Sequence, residues 1–230
     1  MNPPPLVDGV DLGFRHSDSF SLTIQNLRVA AGEHVALIGP SGSGKSTLID
    51  LIAGIRLPTQ GCLKVFGHDW QLQSEANRRL IRRRRIGMAF QEFELLEYLS
   101  ARENILLAGL IDGSTESRSR LAQRTDALAL ASGIQQLLHR PPAQLSQGER
   151  QRVALCRALV TQPPLILCDE PTGNLDPHSA DAVLRLLFDQ ANRDSATIIM
   201  ATHDHSLLPR FHRVIDLSRP TGDSNRKASA

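Results

Sequence analysis

Cysteine is scarce in this 230-residue chain. The three present, Cys62, Cys156 and Cys168, are scattered without metal-ligand spacing. Each has apolar neighbours, which predicts reduced core thiols in a reducing compartment. An excess of either charge is nearly absent too: 26 Lys and Arg against 24 Asp and Glu leave a net of +2, so bulk electrostatics supply no drive toward nucleic acid. No apolar run approaches the ~20 residues of a membrane span. The opening Met1-Asn2-Pro3-Pro4-Pro5 lacks the basic and apolar regions of a secretory signal, so a soluble polypeptide is expected. Internal repeats are not visible. What remains, 41% hydrophobic and 22% charged, suits one large domain, or a domain with a subdomain, around a substantial core.

The stretch that is present and informative is Gly39-Pro40-Ser41-Gly42-Ser43-Gly44-Lys45-Ser46-Thr47. It has the G-x-x-x-x-G-K-[ST] form of a phosphate-binding loop. The apolar run Val35-Ala36-Leu37-Ile38 before it reads as a buried parallel strand, and residues 47–53 after it read as a helix ending near Gly54. Glycines allow backbone N–H groups to converge on a polyphosphate, and the helix N-terminus adds partial positive charge. Lys45 is expected to reach the β- and γ-phosphates and the Ser46 hydroxyl to ligate Mg²⁺. An Asn-Lys-x-Asp guanine-reading string is missing, which argues against a G-protein.

Around this loop the pattern is α/β. Residues 6–14 and 20–29 alternate as two strands of an antiparallel patch, and 62–66 form another short strand. Residues 78–85 contain six arginines without interleaved aromatics, which favours a solvated helix face over a nucleic-acid patch; strand 86–89 follows. From 91 to 162 the texture is helical, as in a subdomain inserted into the core. Ser100-Ala101-Arg102-Glu103 opens a helix over 101–110 as a capping box, a second helix covers 116–131 and stops at Gly133, and Ser146-Gln147-Gly148-Glu149 opens a third over 150–160. Buried strands then fall at 165–168 and 197–201, with another at 214–217. Asp176-Pro177 starts a helix reaching about residue 192. The expected domain spans 1–218, and the polar tail 219–230 reads as disordered. In sum, the expectation is a P-loop α/β core with a mainly parallel sheet, an N-terminal antiparallel β patch and an inserted helical subdomain.

A P-loop needs an acidic partner for its metal. Strand 165–168 runs into Asp169-Glu170 at its carboxyl end, where open α/β sheets place ligands. Asp169 is the expected Mg²⁺ partner through water, as in a Walker B motif, and Glu170, one residue on, is free to polarise an attacking water.

With these motifs in order, the chain resembles the nucleotide-binding subunit of an ABC transporter over nearly all of residues 6–217. Leu145-Ser146-Gln147-Gly148-Glu149-Arg150-Gln151-Arg152 resembles the family signature, Gln91 the Q-loop glutamine, Asn174-Leu175-Asp176 the D-loop, and His203 the switch histidine. The resemblance implies an ATPase that dimerises head to tail around two MgATP. Ser146 and the Gly148 backbone would donate to the γ-phosphate held by the other copy's Lys45. Gln91 would contact Mg²⁺ or the attacking water and relay nucleotide state to the helical subdomain, His203 would bond the γ-phosphate, and Asp176 would support the interface.

The signature departs from L-S-G-G-Q at Gln147 and Glu149 but keeps Ser146 and Gly148. The aromatic position that stacks on adenine falls on His16, with Phe14 as the nearby substitute. The string Asp169-Glu170-Pro171-Thr172-Gly173-Asn174-Leu175-Asp176 resembles the subgroup serving lipoprotein-releasing, macrolide-exporting and cell-division systems. That resemblance implies an integral-membrane permease as partner, a second copy of this chain, no nucleic acid, and a peripheral place on the cytoplasmic face of the inner membrane. Two rivals are a soluble family member acting on nucleic acid or ribosomes and a pseudo-enzyme using ATP as a brace.

Overall fold

The computed structural model describes residues 3–17, 20–90, 93–111, 118–173, 175–218 and 226–227, with the side chains of 16, 17, 20, 178, 226 and 227 outside that description. Packing divides the chain into two units, Met1–Arg82 with Thr197–Ala230, and Arg83–Ala196.

In the first unit an antiparallel sheet has the order β2-β1-β4-β5. It comprises β1 (Val7–Ser17), β2 (Phe20–Val29), β4 (Gln60–Val65) and β5 (His68–Asp69). Alternation places Val7, Leu22, Ile24, Leu63 and Val65 inward. Along β1 the inward parity changes between Gly9 and Leu12. Asp11 there is left-handed (φ 48°), and the register with β4 shifts between Val10 and Gly13, so a bulge turns the second half of the strand over. Strand β1 also runs three residues beyond the expected Phe14. At the other end of β4, Phe66 and Gly67 (φ 54° and 78°) occupy a tight hairpin turn. Phe66 therefore belongs to the turn and not, as the sequence pattern suggested, to the strand.

The same unit carries parallel strands β3 (His34–Ile38), β8 (Thr197–Ala201) and β9 (Arg213–Asp216), with β3 in the middle. The short antiparallel strand β10 (Arg226–Lys227) pairs with β9. Strand β3 is apolar on both faces, as buried parallel strands are. Helix α1 (Lys45–Ile52) packs against β8 and β4. Trp70 is fully buried, and its indole N–H donates to the Ile52 carbonyl at 3.1 Å. Helix α2 (Glu75–Arg85) starts three residues before the arginine run and buries no side chain.

In the second unit β6 (Ile86–Ala89) and β7 (Leu165–Asp169) pair in parallel, Ile86 opposite Leu165 through Ala89 opposite Cys168. Four helices accompany them: α3 (Ala101–Ile111), α4 (Arg118–Ala131), α5 (Gln147–Leu159) and α6 (Pro177–Asp194). Helix α5 is the hub, packing on β6, α3, α4 and α6 through Val153, Ala154, Leu155, Cys156, Ala158 and Leu159. Both expected capping boxes form. The Ser100 N–H donates to Glu103 Oε2 at 2.8 Å and the Ser146 N–H to Glu149 Oε2 at 2.7 Å. The box makes α5 begin at Gln147, a turn earlier than the sequence reading. The expected start of α4 at Glu116 lies outside the described residues, as does most of the 219–230 tail. Cys156 and Cys168 are buried, whereas Cys62 is half-exposed with Sγ 3.1 Å from Asp69 Oδ2, a correction to its assignment as a core residue.

Candidate nucleotide site

The phosphate loop grows from the carboxyl end of β3. Gly39, Gly42 and Gly44 take φ of 147°, 80° and 99°, values that L side chains rarely adopt. At Gly39 space is restricted as well, since a Cβ would stand 2.7 Å from Ser43 Oγ. That hydroxyl is buried without a hydrogen-bond partner among the described residues.

The two ends of α1 are treated differently. Gly44 supplies no side-chain cap, and no acidic residue sits in the first turn, so the leading N–H groups stay available to an anion. At the far end, the Ile52 carbonyl receives Trp70 and the Ala53 carbonyl receives Arg82 Nη1 at 3.2 Å. Burial, then the neighbouring Arg79 and Arg78, pushes the Arg82 pKa down, yet the cation at the helix C-terminus complements the dipole. The helix is therefore satisfied where it ends and left open where it begins. Lys45 is buried and donates from Nζ to the Gly39 and Pro40 carbonyls at 2.9 and 3.2 Å. Its ammonium is held inside the cradle by the loop's own oxygens. Pro40, Ser41, Gly42 and the Ser46 hydroxyl face outward, and Thr47 is half-buried.

His203 joins this loop in the first unit. Strands β3 and β8 are paired with Leu37 opposite Ala201, and the Thr202 N–H donates to the Leu37 carbonyl at 3.1 Å. Gly39 and His203, each two residues further on, thus leave the same carboxyl edge, and His203 is exposed there. Asp204 caps the next turn, its carboxyl held below its ordinary range by the Ser206 hydroxyl and N–H.

In the second unit Asp169 ends β7. Glu170 follows in a left-handed conformation (φ 46°), rare for a residue with a Cβ, and its carbonyl accepts from the Gly173 N–H.

The signature and the D-loop meet in this unit as well. Asp176 Oδ1 accepts from the Ser179 N–H at 3.1 Å, and a Cβ on Gly148 would lie 3.1 Å from Ser179 Oγ. The N-termini of α5 and α6 therefore approach at a glycine. Ser146 caps α5 with its Oγ 3.4 Å from the Glu149 N–H. Glu149 is no disruption here: its carboxylate closes the box, and the Ser146 N–H holds its pKa below the usual range.

Three expected residues escape description. Gln91 and the His16 side chain lie outside the described residues, and so does Asn174 of the D-loop. Phe14, the alternative adenine platform, carries the Arg56 guanidinium 5.6 Å above its ring.

Residues that sequence reading missed cluster after position 91. Asn104, fully buried, accepts from the Leu96 N–H at 2.8 Å and donates Nδ2 to the Leu96, Leu99 and Ser100 carbonyls at 3.1–3.2 Å. Arg157 donates to the Phe93 and Glu94 carbonyls at 2.9 and 2.6 Å. An asparagine and an arginine inside apolar helical stretches were the available signals. In the arginine-rich α2, at least three of the six cations have partners within the protein. Arg79 pairs with Glu75, Arg78 bonds the Gln73 carbonyl and Arg82 bonds the Ala53 carbonyl.

The ABC transporter family profile matches residues 22–173. The chain belongs to the ABC transporter family. This cassette is 42% identical over 196 residues to the lipoprotein-releasing system ATP-binding protein LolD 1 of Rhodospirillum rubrum, covering 85% of this chain and 86% of that one. An ABC transporter ATP-binding protein of Mycobacterium tuberculosis is 39% identical over 221 residues, 94% of this chain and 88% of its own length. Among solved structures, the ATP-binding cassette MJ0796, a post-hydrolysis dimer bound to ADP and Pi, shares a TM-score of 0.85 at 28% identity, covering 97% of this chain and 99% of that one. The cassette is an ATPase with the α/β fold of its family.

Proposed function

We propose that this ATPase is the motor subunit of a lipoprotein-release type transporter, working as a nucleotide-sandwich homodimer beneath an integral-membrane permease on the cytoplasmic face of the inner membrane. The relatives named above support the transporter class. Among the described residues no helix is long and apolar enough to cross a membrane, so on this reading the span belongs to the partner.

The observation that carries the catalytic reading is Glu170. It stands, with a left-handed backbone, directly after Asp169 at the end of a buried strand, and on this reading its carboxylate accepts a proton from the attacking water. Lys45 and the leading N–H groups of α1 bind the β- and γ-phosphates. His203, from the strand paired with β3, bonds the γ-phosphate. In the dimer Ser146 and the Gly148 N–H face the other copy's γ-phosphate, with Asp176 supporting the contact.

Mg²⁺ fits this donor set. Among the described residues no three His, Cys, Asp or Glu side chains gather to hold a metal without help. The exposed Ser46 hydroxyl, Asp169 and Gln91 are hard oxygen donors suited to an ion that arrives with the triphosphate. When bound, it would neutralise charge on the phosphate oxygens.

Replacing Glu170 by Gln tests the reading. Turnover should fall by roughly 10²–10⁴-fold while ATP binding persists. In saturating MgATP the variant should scatter light as a dimer. Wild-type hydrolysis by the variant overturns the base assignment, and a persistent monomer beside the native permease overturns the sandwich.

A further inference from the structure

Outside the phosphate cradle, the far end of the signature helix holds a half-buried cation. Arg157 lies on α5, and its guanidinium reaches 63 and 64 positions back along the chain to the Glu94 and Phe93 carbonyls. We propose that Arg157 is a positioning residue for ATP hydrolysis: by clamping these two consecutive carbonyls it ties the segment that leaves Gln91 to the helix whose other end carries Ser146 and Gly148. The inference rests on the roles given above to Gln91 and the signature.

Several observations converge on the clamp. The charge is expensive to hold: burial pushes the Arg157 pKa down and the Glu94 carboxylate only partly offsets it. The two short bonds go to main-chain oxygens and not to a carboxylate, so they fix a backbone path. That path is unusual at the contact itself, because Glu94 is left-handed at φ 48°. A planar fork spans adjacent carbonyls in a way that an ammonium does not. Downstream, Asn104 locks residues 96–100, so residues 93–100 are held at two successive points.

Helix α5 is suited to transmit a shift. Eleven residues separate Arg157 from Ser146, roughly 16 Å of continuous helix. Between them Gln151 is buried with both amide atoms unpaired, and the Arg152 Nε is buried and unpaired. A displacement of residues 93–94 on γ-phosphate engagement pulls on Arg157 and re-aims the helix N-terminus.

A double-mutant cycle on the full chain tests this, using steady-state ATPase rates at saturating MgATP. Arg157→Met should lower kcat roughly ten-fold or more with KM for ATP within about two-fold, and Arg157→Lys should recover part of the loss. Combined with Gln91→Ala, Arg157→Met should cost little beyond the worse single variant, because both cut one linkage. A double-variant loss equal to the product of the single losses overturns the proposal, as does a kcat that Arg157→Met leaves unchanged. If the Met variant does not fold, the same cycle run with Arg157→Lys supports or overturns the proposal on the same two criteria. Glu170→Gln measured alongside separates the failures. Wild-type turnover in that variant sinks the base assignment, whereas additivity with Gln91 sinks only the Arg157 link.

Discussion

Single residues in this cassette do their work through unpaired or over-paired polar atoms. The phosphate loop illustrates the first kind, with Ser43 Oγ buried and idle and the N-terminus of α1 without a side-chain cap. Asn104 illustrates the second, a side chain at 0% exposure with four hydrogen bonds to the turn before α3. Alanine there would strip the Leu96 N–H and the Leu99 carbonyl of their Asn104 partner, while the Leu96 and Ser100 carbonyls would keep only the Leu99 and residue-104 N–H groups. Asn104→Ala should therefore cost about 2–4 kcal/mol in urea unfolding, well above the loss of a surface contact. Backbone amides 96–100 should lose hydrogen-exchange protection ahead of the rest. The local sequence marks Asn104 only as a polar residue in an apolar stretch; asparagine in a helix is ordinarily a surface residue, and its partners are known only once the turn has closed. Lys45, Ser46, Asp169 and Glu170 stand out as candidates in the sequence because the chemistry proposed for them requires fixed neighbours at fixed spacing.

At the scale of elements, capping separates what the chain announces from what it hides. The boxes at Ser100/Glu103 and Ser146/Glu149 were written locally and form as written. The Ser146 N–H, with the Ser146 hydroxyl adding to it against burial, holds the Glu149 carboxyl below its ordinary value of 4.5. A carboxylate with a depressed folded pKa stabilises above its unfolded pKa, and that contribution drains away as pH falls through the folded value. Melting temperature should therefore drop more steeply below about pH 4.5 in the wild type than in Glu149→Gln, which holds no such charge. Parallel slopes for the two proteins would show that the box is energetically silent. The C-terminus of α1 is the contrasting element. Its closure by Trp70 and Arg82 comes from residues 18 and 29 positions beyond their acceptors, and no cap signal near Gly54 records it. The bulge at Asp11 and the turn at Phe66-Gly67 were likewise missed, because φ above zero at a non-glycine residue is imposed by pairing partners and not by its own propensity.

For the whole molecule, thiol accessibility offers a compact report on folding. Cys156 and Cys168 are buried with pKa values pushed up to about 12 by burial, while half-exposed Cys62 is held in its thiol form chiefly by its hydrogen bond to Asp69. Alkylation at neutral pH should modify Cys62 alone, and slowly, in the native protein, with all three reacting in denaturant. Mass spectrometry of the quenched products distinguishes the sites. Modification of Cys168 in the native state would mean that β7, and the Asp169-Glu170 pair at its end, opens far more readily than its packing implies. This sets a bound on how local any movement during turnover must be.

From the amino-acid order alone came the phosphate loop, the paired carboxylates, both capping boxes and the α/β alternation, since each is written within a few consecutive residues and read by short-range physics. The tertiary structure decided where Asn104 and Arg157 spend their hydrogen bonds, which end of α1 is closed, and that the N-termini of α5 and α6 meet at Gly148. Those contacts join residues that are up to 64 positions apart, or polar groups whose partners are main-chain atoms shared by every residue type, so no spacing of side chains encodes them. They exist only once the core has been buried and every polar group has had to find a partner or go without.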